Sequence, residues 1–357
     1  MHYFEFAEKD NTLYEVSSSM NAGLDEVLEV RKDVSDSGLV VNDSRILIKF
    51  DLSYISESVS NNLITNPKYY LNLFDAKPTA LATSQSLYAY PISQSWTMGD
   101  GRSYDNPSNK EGCSYTFRFG ETDGTLWNSE LSASGGTFYT ASEASHSFNR
   151  NSKDMRMDVT DIVNDWLTGN KTNEGFMIKR SGSAETDSSR LGNFSFFSTD
   201  THTKYPPTLE VQWDDSSWST GSLSPLSSTD LEDTVLYMKG LRPEYHEKSK
   251  VKFRVVGRNR YPSKTYSTTP SNLTIKYLPS GSSFYSICDA ETHDVIVPFG
   301  SGSKLSCDSQ GNYFNLWLDG YQPERYYTLK FRVVSGSNTI DESDQYFNEG
   351  FTFKVTK

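Results

Sequence analysis

From Arg156 to Gly169 the chain reads Arg-Met-Asp-Val-Thr-Asp-Ile-Val-Asn-Asp-Trp-Leu-Thr-Gly, with Val159, Ile162, Val163, Trp166 and Leu167 at i, i+3, i+4, i+7 and i+8. That spacing puts them on one stripe of a helix and turns Asp161, Asn164 and Asp165 toward water. Asp158 or Thr160 is placed to accept the first free amide hydrogens, and Gly169 to close the last turn in a left-handed conformation. The element reads as a short core-packing helix. Two apolar runs follow it, Gly175 to Lys179 and Tyr205 to Trp213, and both read as strands. A metal cluster of Asp158, Asp161 and Asp165 is the alternative, against which Asp161 and Asp165 have the spacing of an ordinary solvated face.

The rest of the 357-residue chain carries strands and turns, and its 22 Tyr, 20 Phe and 23 Gly favour an all-β class. Aromatic side chains fit a pleated, half-buried surface, and glycine suits the turns between strands. The length allows two or three domains, each with its own core. A formal charge of −12 repels a phosphate backbone, and no compact run of Lys and Arg opposes it, so no nucleic-acid partner is expected. Acidity of this kind keeps a protein soluble at high local copy number. The start, Met-His-Tyr-Phe-Glu-Phe-Ala-Glu-Lys-Asp, has no basic and apolar leader pattern. No apolar stretch reaches the roughly 18 residues that span a bilayer, so no membrane insertion is expected either. Cys113, Cys288 and Cys307 are far apart and odd in number, which points to buried free thiols, with a Cys288 to Cys307 bridge across one hairpin as the alternative.

Along the chain, Tyr14 to about Gly38 is polar with scattered Leu and Val. Arg45-Ile-Leu-Ile-Lys-Phe-Asp-Leu-Ser53 is nearly continuous in apolar character and suits the centre of a sheet. Pro67 to Phe74 and Ser86 to Ile92 alternate with period two, so each is expected to bury one face. Trp96 to Phe148 is rich in Gly, Ser, Asn and Asp and reads as long loop with short strands. The small-residue stretch from Asp214 to Asp230 has the composition of a linker.

Beyond it the sequence repeats. Lys252-Phe-Arg-Val-Val256 recurs as Lys330-Phe-Arg-Val-Val334, and Leu273-Thr-Ile-Lys276 corresponds to Phe351-Thr-Phe-Lys354, both at an offset of 78. Gly240-Leu-Arg-Pro-Glu244 matches Gly320-Tyr-Gln-Pro-Glu324 at an offset of 80. A nearly constant offset over three blocks indicates duplication. The related units, 231–278 and 313–357, are expected to form either two tandem immunoglobulin-like sandwiches or one sandwich made of two halves.

The blocks Arg45-Ile-Leu-Ile-Lys-Phe-Asp-Leu, Tyr69-Tyr-Leu-Asn-Leu, Ser95-Trp96, Met157-Asp-Val-Thr-Asp-Ile-Val-Asn-Asp-Trp, Asn173-Glu-Gly-Phe-Met-Ile-Lys and Pro206-Pro-Thr-Leu-Glu-Val stand in the order seen in DNRLRE-type domains. Residues 1–213 resemble that family, which is grouped with carbohydrate-binding modules. The resemblance implies a jelly-roll-like β-sandwich with one short helix. The whole chain, with Pro91 to Gly99, Asp200 to Pro207 and Ser306 to Phe314, is similar to virion structural proteins of large tailed marine cyanophages. That second resemblance implies a part of the tail, baseplate, neck, fibre or head decoration, assembled in the host cytoplasm. Its implied partners are other virion proteins, further copies of the chain, and in a receptor-contacting role a host-surface glycan.

No catalytic pattern competes with this. His2, His146, His202, His246 and His293 show no zinc spacing, and there is no nucleophile elbow or phosphate-binding loop. The expectation is a non-enzyme without cofactor or metal. The candidate contacts for a glycan or a protein interface are the loop aromatics Trp96, Tyr104 and Trp127, which have core packing as their competing role.

Overall fold

The computed structural model describes residues 1–35, 40–77, 84–128, 134–148, 154–188, 191–226, 231, 233–262, 266, 268–269, 273–334 and 344–357. The protein is all-β, with 45% of residues in strands against 8% in helices. It divides into two compact units, the larger comprising Phe4–Leu63 and Lys68–Val211, the other Met1–Tyr3, Ile64–Pro67 and Gln212–Lys357.

In the larger unit the strands are β1 (His2–Tyr14), β2 (Val27–Val34), β3 (Val40–Phe50), β4 (Lys68–Leu73), β5 (Gln85–Pro91), β6 (Ala144–Phe148), β7 (Met155–Asp158), β8 (Phe176–Lys179), β9 (Gly192–Phe197) and β10 (Thr208–Gln212). They run β6-β5-β8-β3-β1-β10-β4-β7, with β2 pairing β3 and β9. The path curls, because its two end strands meet where the His146 ring nitrogen Nδ1 lies 3.1 Å from the Arg156 carbonyl oxygen. The apolar run around Leu47 forms β3, which is paired on both sides by β1 and β8, and Ile46, Leu47 and Ile48 are fully buried.

Among the described residues three α-helices occur where one was expected: α1 (Ser53–Ser60), α2 (Thr160–Leu167) and α3 (Gly182–Thr186). α2 is the helix read from its stripe, and Ile162, Val163 and Trp166 are buried, Trp166 against Phe176 at 4.6 Å. The Asp158 carboxylate accepts from the Thr160 amide at 3.0 Å, and Gly169 takes φ +75°. The polar segment before β3 contains strand β2, and β1 has three polar residues in succession, Asp10, Asn11 and Thr12, that are buried. Partners distant in sequence make that possible: Thr199 donates its amide to Asp10, and Asn11 donates to the Cys113 carbonyl.

The second unit contains β11 (Ser224–Pro225), β12 (Thr234–Met238), β13 (Glu244–His246), β14 (Lys250–Asn259), β15 (Lys276–Tyr277), β16 (Ser283–Asp289), β17 (Val295–Val297), β18 (Ser306–Asp308), β19 (Gly311–Trp317), β20 (Arg325–Val333) and β21 (Gln345–Thr356). One sheet runs β11-β15-β14-β19-β18 with β12 beside β14; the other runs β13-β21-β20-β16-β17. Their inner faces share an aromatic core. Phe253 of β14 lies 5.1 Å from Phe353 of β21, and Phe314 of β19 stacks at 4.1 Å on Tyr285 of β16. The duplicated Lys-Phe-Arg-Val-Val segments supply β14 and β20, one inside each sheet, so both copies build a single core. Each is preceded by a glycine turn of the same conformation, φ +75° at both Gly240 and Gly320. The three cysteines are free and buried. Of the linker stretch, 227–230 lie outside the described residues.

Candidate functional site

The structure separates the three loop aromatics. Trp96 and Trp127 are each 2% exposed and belong to one core cluster with Leu13, Leu47, Ile92, Cys113, Tyr115 and Met177. Their indole nitrogens are satisfied inside, Trp96 by the Glu174 carbonyl and Trp127 by the Ser114 carbonyl, both at 2.9 Å. Neither ring is a surface platform. Tyr104, by contrast, is 73% exposed.

The loop that carries these residues is pinned by one buried side chain. Asn21 donates to the carbonyls of Met98 (2.6 Å) and Cys113 (2.8 Å) and accepts from the Gly101 amide (2.8 Å). Gly99 passes so close that a Cβ would lie 2.4 Å from the Asn21 amide oxygen, and its φ of +84° disfavours any other residue. Anchored this way, the turn Gly99-Asp-Gly-Arg-Ser-Tyr104 holds Arg102 and Tyr104 over the start of β2.

There they border a cleft of about 400 Å³ lined by Tyr14, Leu24, Asp25, Glu26, Val27, Glu29, Arg31, Arg102, Ser103 and Tyr104. On its floor, Glu29 accepts from the Tyr14 hydroxyl (3.0 Å), both oxygens accept from Arg31 (3.1 and 3.0 Å), and Asn193 donates at 2.6 Å. Asp25 accepts the Ser103 amide at 2.9 Å. Arg102 donates to the Leu24 carbonyl (3.3 Å) and the Tyr104 hydroxyl (3.1 Å). Burial pushes the Asp25 carboxyl above its ordinary range, and burial followed by the Glu29 charge pushes the Tyr14 phenol well up, so Tyr14 stays a proton donor.

The cleft thus offers carboxylate acceptors, guanidinium donors and one exposed ring. Such a set can hold a polyhydroxylated ligand, because hydroxyls both donate and accept while the ring covers an apolar sugar face. Tyr104 was legible from sequence as a loop aromatic, alike in that respect to Trp96 and Trp127. Asp25, Glu29 and Arg31 were not, since they lie some 75 residues upstream and carry no local pattern.

A second charged cluster lies inside the larger unit. Arg45 makes a two-pronged pair with Glu185 (3.0 Å at each contact), and Lys179 reaches the same carboxylate at 2.5 Å. Asp43 beside them is pushed up to about 7, first by burial and then by the Glu185 charge. The Arg45–Glu185 and Lys179–Glu185 contacts bind α3 to β3 and β8, and Arg45 also donates to the Gly135 carbonyl at 2.6 Å. The metal alternative for Asp158, Asp161 and Asp165 finds no support: among the described residues no group of three His, Cys, Asp or Glu is arranged to hold an ion.

No family model matches the chain, and no curated protein matches it. Among solved structures it is similar to a DUF4785 family protein from Legionella pneumophila, at 9% identity and a TM-score of 0.19. That alignment covers all of this chain and 64% of the other, so this chain spans under two thirds of that protein's length. A likeness at that TM-score carries no argument.

Proposed function

We propose that this chain is a structural component of a tailed-phage virion, acting through protein–protein contacts rather than catalysis. The observation that supports the reading is the resemblance of the whole chain, with Pro91 to Gly99, Asp200 to Pro207 and Ser306 to Phe314, to virion structural proteins, beside the DNRLRE-type blocks that fall on β3, β4, α2, β8 and β10. Rigid β modules of this kind suit a particle, where symmetry-related copies amplify modest individual contacts. Mass spectrometry of purified particles from the phage encoding the chain tests it. The expected result is the intact chain at a fixed stoichiometry, in multiples set by the particle symmetry, and its absence from particles rejects the reading.

The cleft at Tyr104 favours a second reading, in which the larger unit contacts a host-surface glycan. A glycan array probed with the full chain separates the two. A reproducible signal lost in Tyr104→Ala supports glycan contact, whereas silence across the array leaves the protein as a building block.

A further inference from the structure

The period-two geometry of a strand turns Lys250, Lys252 and Arg254 to one side of β14, and cross-strand pairing sets aromatic rings beside them. On β14 the outward residues are Lys250, Lys252 and Arg254, and by register they oppose Trp317, Asn315 and Tyr313 of β19. Inward, Phe253 and Val255 are buried. The cations lie over the rings: Lys250 Nζ is 4.7 Å from the Trp317 centroid, Lys252 Nζ 3.6 Å and Arg254 Cζ 5.7 Å from that of Tyr313. Asp308 of β18 is shared by two of the three, with both Arg254 contacts at 2.7 Å and Lys252 at 3.3 Å. Lys250 and Lys252 remain exposed.

Two features define what this face accepts. Its aromatic rings are already covered by its own cations, so it presents positive charge rather than bare stacking surface, which selects an anionic partner over a base or sugar ring. It is the outer face of a sheet rather than a pocket, which selects a macromolecular surface over a small ligand. The chain carries the complementary charge itself. Residues 212–357 hold 16 Lys and Arg against 17 Asp and Glu, and residues 1–211 hold 18 against 29, so the acidity is concentrated in the first 211 residues.

We propose that the basic–aromatic face of β14 and β19 docks the acidic larger unit of a second copy of this chain. The two surfaces are unlike, so the contact is heterologous and joins copies head to tail. The inference stands on charge and register and does not depend on the virion reading.

Sedimentation equilibrium of the full chain over a concentration series tests it. At low ionic strength the chain is expected to self-associate reversibly, and high salt is expected to dissociate it, since exposed charge contacts are screened. The double variant Lys250→Glu with Lys252→Glu is expected to weaken association at least about tenfold, as like charges then meet across the contact. The control Arg242→Glu with Lys357→Glu changes net charge equally at exposed positions beside the other sheet of this unit, and is expected to leave association within about twofold of the parent. A chain that stays monomeric at low salt overturns the proposal, as does equal weakening by both double variants. So does a monomer that instead binds heparin or single-stranded DNA through this face, with binding lost in the Lys250→Glu, Lys252→Glu variant.

Discussion

Trp127 and Tyr104 come from the same stretch of loop and end in opposite surroundings. Trp127→Ala removes a buried indole and its bond to Ser114, and is expected to cost about 3–5 kcal/mol in denaturant-measured stability. Tyr104→Ala is expected to change stability by less than about 0.5 kcal/mol, because an exposed ring leaves no cavity. Loss of ligand binding in the tryptophan variant alone therefore reports unfolding, and only the tyrosine variant reads the surface. Asp10 offers a test of electrostatics. It is buried and accepts from the Thr199 amide and hydroxyl, but burial outweighs those bonds and pushes its carboxyl from 3.8 up to about 7. The folded state then binds a proton that the unfolded state has released, so this group's contribution to stability falls as pH rises from about 4 to about 7. Asp43 acts in the same direction over the same range. Asp10→Asn is expected to flatten, without abolishing, the decline in unfolding free energy across that window, measured by urea titration at several pH values.

At the scale of elements, Gly175 explains why a glycine precedes β8. Its φ is +97°, and a Cβ would lie 2.3 Å from the Ile48 carbonyl oxygen of β3. Gly175→Ala is expected to destabilise by at least about 2 kcal/mol, visible as a lowered thermal midpoint, because strain and a backbone clash combine. Elements with a regular apolar period were legible in the sequence: α2 from its stripe, β3 from its continuous run, β4 and β5 from alternation. β1 and β2 were not, because the polar residues Asp10, Asn11 and Glu29 bond to Thr199, Cys113 and Asn193, partners that no local window contains. α1 and α3 escaped for a related reason. α3 has no buried residue and is held by Glu185, whose partners Arg45 and Lys179 lie on two strands. The candidate cleft was half legible for the same cause, its Arg102–Tyr104 turn marked by glycines and its acidic floor assembled only by folding.

For the whole molecule, the three cysteines give a simple probe of integrity. All are buried, and burial pushes the thiols of Cys113 and Cys307 up to about 12 and about 11. Native protein is therefore expected to react slowly or not at all with a thiol reagent at neutral pH, and denatured protein to react at three sites; fast labelling of the native chain would show that one of these regions opens readily. The duplication has a larger consequence. Each copy of Lys-Phe-Arg-Val-Val sits in a different sheet, and Phe253 of the first repeat packs against Phe314 and Phe353 of the second, so neither repeat completes an interior unaided. Residues 231–278 produced alone are expected to lack a cooperative melting transition. A single-repeat ancestor would have been obliged to find its twin by diffusion, and would have come apart on dilution. Joining the two in tandem made that encounter intramolecular, which freed the module from any dependence on its own abundance.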